Sequence, residues 1–428
     1  MLSSLLRRCS SAGLICLGLL AVWPIKAQEP DAGPVAATTP PAARSPVPMA
    51  SEDELPYQQP PISYSQTTPR DPVANLRARM EQKEIALQKE GPTGVLKQLL
   101  HELHIPVSSQ LLVFSKSSAQ AKLIKPATPR ALYFNDDVYV GWVPGSSLIE
   151  ISAADPELGG TFYSLRQPNS GEIQFRRDAS CLLCHQTRNT LRVPGHLVRS
   201  FSTDALGQMQ SGWSRTTHET SFEKRWAGWY VTGETDSLGH PGNVYGAAAP
   251  REGTASAPFD ISKSCDLTDY LAATSDVLPH LILDHQAHGH NLITRLSYEF
   301  RLQKPLTALE PLVRYLLFLD EAPLPTAVAG NAEYRGWFEQ QGARDSQGRS
   351  LREFDLQTRI FKYRLSYLVN SPAFAALPDE PRLEVWKQIK EFLIQPDQEG
   401  QATVIPAAER QAILEIARAT VTGLPEGW

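Results

Sequence analysis

The run Ala131-Leu132-Tyr133-Phe134-Asn135-Asp136-Asp137-Val138-Tyr139-Val140-Gly141-Trp142-Val143-Pro144-Gly145-Ser146-Ser147-Leu148-Ile149-Glu150-Ile151 decides the fold class. It holds three short segments rich in β-branched and aromatic residues, punctuated by Asn135-Asp136-Asp137 and by Pro144-Gly145. Segments of that length and composition between turn-forming residues read as strands. The pattern continues outward on both sides. Leu111-Leu112-Val113-Phe114 precedes it, and Thr161-Phe162-Tyr163-Ser164-Leu165 and Ile173-Gln174-Phe175 follow it. A small β-rich unit is therefore expected, ending near residue 175.

On the N-terminal side, Asp71-Pro72 opens a helical stretch over Val73–Glu90, with a thin apolar stripe of Leu76, Met80 and Leu87 and a stop at Gly91-Pro92. A short helix over Val95–Leu103 follows. Residues 28–72 are rich in Pro, Ala, Ser and Thr, a composition that favours extended conformers and reads as a Pro-rich disordered tether. Residues 1–27 read as a signal peptide. Arg7 and Arg8 supply the positive start, Ala12–Val22 the apolar run, and Ala27 the cleavage point, although Ile25 is larger than usual two positions earlier. The apolar run is short against the roughly 20 residues a bilayer span needs. No later run is longer, so no membrane span is expected in the mature chain, and the expected location is periplasmic or secreted.

The 428 residues are 42% hydrophobic and 20% charged, with a net charge of -5. That balance gives no reason to expect nucleic acid or an anionic membrane as a partner. Of the five cysteines, Cys9 and Cys16 fall in the signal segment. Cys181, Cys184 and Cys265 remain, which is no disulfide framework. Cys265 is expected to be a lone, buried thiol.

On the C-terminal side, residues 196–260 are irregular and dense in Trp213, Trp226, Trp229 and Tyr230. Such a stretch is either a loop-rich core or an aromatic cover over a flat cofactor. From Asp276 onward the pattern is helical. Asp276 caps a helix running to Phe300. Thr307-x-x-Glu310 with Pro311 reads as a capping box for a helix through Leu312–Leu319. Leu351, Phe354, Phe361, Leu365 and Leu368 form one helical stripe, and Leu383, Trp386, Ile389 and Leu393 a second. A last helix is expected over Ala407–Val421. The expected class is α+β: helices plus a small β-rich unit over 73–175, then a mainly α-helical, loop-rich part over 176–428.

At the junction stands Cys181-Leu182-Leu183-Cys184-His185. C-x-x-C-H is the attachment signature of c-type haem, and here the chain resembles the c-type cytochromes. The resemblance covers these five residues. It implies one haem c, thioether-bound through Cys181 and Cys184, with His185 as the proximal iron ligand. The rival readings are weaker. A structural zinc site wants a second Cys or His pair, and a redox dithiol wants a βαβ context that the segment after Cys184 lacks. Arg176, Arg177 and Arg188 flank the motif and are weak candidates for pairing with haem propionates.

The second face of the iron has several candidates. His285 and His288 fall on the inward stripe of the Asp276–Phe300 helix, marked by Leu278, Leu281, Ile282, Leu292 and Leu296. Gly289 beside them allows a flat ring to approach, and Asp284 stands one turn before His288 to orient it. His218, His240 and Met209 are further candidates. The alternative for each histidine is a satisfied core side chain. The leading functional expectation is a periplasmic mono-haem electron-transfer protein, with a redox partner protein or a small-molecule oxidant. A haem enzyme of peroxidase or oxidase type with an open distal position is the alternative, with His285 and His288 as its catalytic candidates, and a haem-based sensor or docking subunit is a third class.

Overall fold

The computed structural model describes residues 54–428, except 169–170, 211, 234, 236, 250–258 and 396–403. The expected signal peptide (1–27) and the first part of the expected tether (28–53) lie outside the described residues.

The chain is α+β, as expected. In chain order it opens with α1 (Pro72–Glu81) and α2 (Leu96–Glu102). Six strands follow: β1 (Leu111–Val113), β2 (Arg130–Phe134), β3 (Val138–Trp142), β4 (Leu148–Asp155), β5 (Gly159–Arg166) and β6 (Gln174–Arg177). The motif forms one turn of helix, α3 (Leu182–His185). The irregular stretch carries only the short strands β7 (Arg199–Ser200), β8 (Ser214–Arg215) and β9 (Trp229–Tyr230). Then come α4 (Val277–Arg301), α5 (Leu309–Leu316), α6 (Ala332–Gln340), α7 (Pro372–Ala375), α8 (Asp379–Ile394) and α9 (Ala407–Thr420).

Seven strands form one antiparallel sheet in the order β6-β5-β4-β3-β2-β1-β9. Each of the first six pairs with its neighbour in sequence, through short turns from β2 to β5 and a longer connection over residues 114–129 between β1 and β2. The last strand comes from beyond the motif: Leu112 pairs with Tyr230 and Val113 with Trp229. The sheet thus crosses the boundary expected at residue 175. One face, with Tyr133, Val140, Trp142 and Tyr163, packs on α1 and α2 through Val73, Leu76, Leu96 and Leu99. Phe134 and Tyr139 turn to the other face and join a core built around α4. A strand's alternation assigns each side chain its face, and here both faces are covered.

Helix α4 is the axis of the second half. Asp276 caps it as expected, accepting a hydrogen bond from the Leu278 amide at 3.0 Å. Of its residues only Arg295, Phe300 and Arg301 escape full burial. It is therefore no amphipathic surface helix, and its polar side chains are held inside the protein.

Four expectations are corrected. The tether does not extend to residue 72. Leu55, Ile62 and Tyr64 are buried in a cluster with Phe162, Leu182, Val193 and Tyr298, and the Tyr64 hydroxyl donates to Gly160 O at 2.7 Å. The prolines tolerate this because the segment packs through isolated apolar side chains rather than through ladder hydrogen bonds. The first helix ends at Glu81, not Glu90. Thr307 and Glu310 form no capping box: the carboxylate of Glu299 on α4 accepts from the Thr307 hydroxyl and from the Ala308 amide. The stripe Leu351–Leu368 is not a helix. Asp355 accepts from the amides of Gln357 and Thr358, closing a turn that brings Phe354 and Phe361 together across a β-bridge. The second stripe does form a helix, α8, although its first member, Leu383, is 46% exposed.

Candidate functional site

Asp178 starts the motif segment by accepting from the Ser180 amide at 3.1 Å. The tight turn that follows puts Cys181, Cys184 and His185 on the wall of one cavity of about 510 Å³. Leu182 points the other way, into the cluster with Ile62 and Tyr64, and anchors the turn. Leu183 is 84% exposed, and Cys184 beside it is exposed as well.

The orientation of His185 is determined by its backbone neighbours. Its Nδ1 lies 3.0 Å from Gly195 O. A carbonyl only accepts, so Nδ1 carries the proton and the lone pair of the neutral ring sits on Nε2. Burial pushes the His185 pKa down to about 4, so the ring is neutral at pH 7. The Gly195 amide in turn donates to His185 O at 2.9 Å, closing a two-way clasp. Phe162 packs on the ring with centroids 4.7 Å apart. A backbone hydrogen bond that fixes the tautomer and aims Nε2 outward is the arrangement metal-bound histidines use.

The rest of the wall comes from the sheet and from α4. Leu132, Tyr139, Gly141, Glu150, Ser152 and Phe162 line it from the sheet, and Leu283 and Ala287 from α4. Arg130, Arg199 and Lys116 bring positive charge to it. Arg130 meets Glu150 at 3.6 Å, and its Nε has no hydrogen-bond partner. Arg199 stacks over the Trp213 ring at 4.9 Å.

His196, which sequence reasoning passed over, lines the same cavity. Its backbone is gripped by Asn291 of α4: the His196 amide donates to Asn291 Oδ1 at 2.8 Å, and Asn291 Nδ2 donates to His196 O at 2.7 Å. Its ring packs on Tyr139 with centroids 4.5 Å apart. The signal available in sequence was its place eleven positions after His185, beyond Pro194-Gly195, but spacing alone did not distinguish it from the other histidines.

The sequence candidates for the second ligand lie elsewhere. His285 and His288 sit on the face of α4 that meets α5 and the 366–368 turn, away from Leu283 and Ala287. His285 is hydrogen-bonded to His218 (Nδ1 to Nδ1, 2.7 Å) and to Ser366 (Nε2 to Oγ, 2.7 Å), and it stacks on Tyr315. His288 packs edge-on against Tyr315. Burial keeps all three histidines neutral. Asp284 does not orient His288; it accepts from Trp226 Nε1 at 2.9 Å and faces Arg225 at 3.5 Å. The space a Cβ on Gly289 would take belongs to Leu368, 2.3 Å away, so no flat ring enters there. His240 accepts from the Gly242 amide at 3.1 Å beside the Trp226 ring. Met209 is 53% exposed on a loop outside the cavity. Arg176 and Arg177 are also elsewhere, Arg177 donating to Thr67 O and Tyr64 O. Arg188 is exposed. Of the aromatic stretch, Trp229 lines the cavity and Trp226 is core.

The chemistry of the donor set narrows the reading. Burial pushes the Cys181 thiol up to about 11, the opposite of a reactive redox dithiol, whose thiolate is favoured. Among the described residues no group of three or more His, Cys, Asp or Glu is arranged to hold a metal ion. Cys181, Cys184 and His185 are fewer than the four protein ligands that a structural zinc site takes. Cys265 is buried, with its thiol pushed up to about 11 by the same cause, as expected of an inert residue. No family model matches this chain, and no curated protein or solved structure matches it either.

Proposed function

We propose that this chain is a c-type haem protein acting outside the cytoplasm in electron transfer. The observation that carries the reading is the His185 clasp: two thiols and an imidazole with a tautomer set by Gly195 O, all facing one cavity. When bound, the haem supplies one-electron chemistry through its iron. The chain's own part is to hold the ring by Cys181 and Cys184, to present Nε2 of His185, and to surround the site with apolar wall from Leu132, Phe162, Leu283 and Ala287. Arg130, Arg199 and Lys116 supply cations suited to the carboxylates at the porphyrin rim. Exposed Leu183 and Cys184 leave the attachment side open to solvent, which suits approach by a redox partner.

The test is expression of the full chain with a cytochrome c maturation system, followed by a pyridine haemochrome spectrum and voltammetry. The expected result is one covalent haem per chain and a reversible one-electron wave. Absence of covalent haem overturns the proposal. Rapid peroxide-driven oxidation of added substrates replaces electron transfer by the haem-enzyme alternative.

A further inference from the structure

His196 is 6% exposed, and its Nε2 has no hydrogen-bond partner. A buried polar atom left without a partner loses its hydration and gains nothing in return, so such an atom calls for an explanation. The position gives one, because the ring belongs to the wall of the cavity that holds Cys181, Cys184 and His185. We infer that His196 is the second protein ligand of the iron. The inference rests on the haem reading of that cavity.

Three features support it. The first is availability of a lone pair. The Nδ1 of His196 has a long contact of 3.5 Å to Ser152 Oγ, while Nε2 is left free. If Nδ1 donates there, Nε2 offers a lone pair as His185 does. The second is rigidity. Two hydrogen bonds to Asn291 hold the backbone of His196, and Asn291 sits on the fully buried part of α4. The Cβ of an alanine at 195 would come within 2.2 Å of Asn291 Oδ1, so only glycine admits this grip. A ligand held on a rigid element is placed without ordering cost when the metal arrives. The third is the lack of rivals. Of the other side chains lining the cavity, Tyr139 is engaged with Gln286 at 2.9 Å and Tyr163 with Asp71 at 2.5 Å. Met209, His218, His240, His285 and His288 do not line the cavity.

The experiment compares ferric optical and electron paramagnetic resonance spectra of the full-length wild type, H196A and H196M, each matured with haem. The wild type is expected to be low-spin. H196A is expected to turn high-spin and to return to low-spin when free imidazole is added. H196M is expected to show a methionine–iron charge-transfer band, a signal that a merely structural role for His196 would not produce. A low-spin spectrum in H196A without imidazole, or a high-spin wild type, overturns the inference. Haemochrome content separates the two levels: covalent haem with an unchanged spin state removes His196 alone, whereas absence of covalent haem in the wild type removes the underlying reading. Circular dichroism of each variant identifies misfolding, and in that event the H196M band and the wild-type spin state decide.

Discussion

At the scale of single residues, the buried histidine pair is held by polar contacts of the core. Ser366 Oγ accepts from the Leu368 amide at 3.1 Å and lies 2.7 Å from His285 Nε2. His285 Nδ1 lies 2.7 Å from His218 Nδ1, so one ring donates to the other. His218 Nε2 has no partner. These two imidazoles are core side chains kept neutral by burial. Ser366→Ala should leave His285 Nε2 without its hydroxyl partner and cost about 1–3 kcal/mol in urea unfolding. The ferric spectrum of that variant should match the wild type, because the pair does not reach the cavity. At the motif, Cys181→Ser combined with Cys184→Ser should abolish haem that survives a denaturing gel, as read by haem staining. Retention of stain would mean attachment elsewhere.

At the scale of elements, α4 is specified locally in its bounds but not in the partners of its faces. Its start, its length and its inward leucines were legible in sequence, because Asp276 caps it and the periodicity is clear. Which face met the cavity was not. A helix buried on nearly every side has two or more inward faces, and periodicity marks only the most apolar of them. The polar side chain that serves the cavity is Asn291. Asn291→Leu should remove both clasps on His196 and cost roughly 1–3 kcal/mol in urea unfolding, with a mixed-spin ferric spectrum where the wild type is homogeneous. The segment over 55–71 holds a similar lesson. Proline content argued for a tether, yet three apolar side chains suffice to pin it beneath α3. Ile62→Ala should destabilise the protein by about 2–5 kcal/mol in thermal or urea unfolding. An unaltered midpoint would return the segment to tether status.

At the scale of the whole molecule, burial of histidines sets the response to acid. His240 is pushed down to about 4, His280 and His285 to about 3, and His218 and His288 well below the ordinary value of 6.5. In each case the unfolded chain binds a proton that the folded chain refuses, so the stability they allow is full above about pH 6.5 and is lost as pH falls toward 4 and below. Asp137, Asp284 and Glu321 act in the opposite sense. Burial pushes each up to about 7, so their contribution is present below about pH 4 and is lost as pH rises through 7. Five histidines outweigh three carboxyls, and the urea midpoint should fall between pH 6.5 and 4.5. A flat or rising midpoint over that interval would contradict the assignment of neutral core histidines. Among the described residues no helix is long and apolar enough to cross a membrane.

Local pattern was readable from the chain alone. Short runs of β-branched and aromatic residues between turn-formers marked the strands of the sheet, and spacing singled out Cys181, Cys184 and His185, which line one cavity. These depend on neighbours a few positions apart. Tertiary structure alone decided the rest. It joined β9 to β1 across more than a hundred residues, turned His285 and His288 into the core, and brought His196 to the cavity through Asn291. Those outcomes depend on which faces pack together, and a buried polar side chain reveals its role only when its partners, or their absence, are in view.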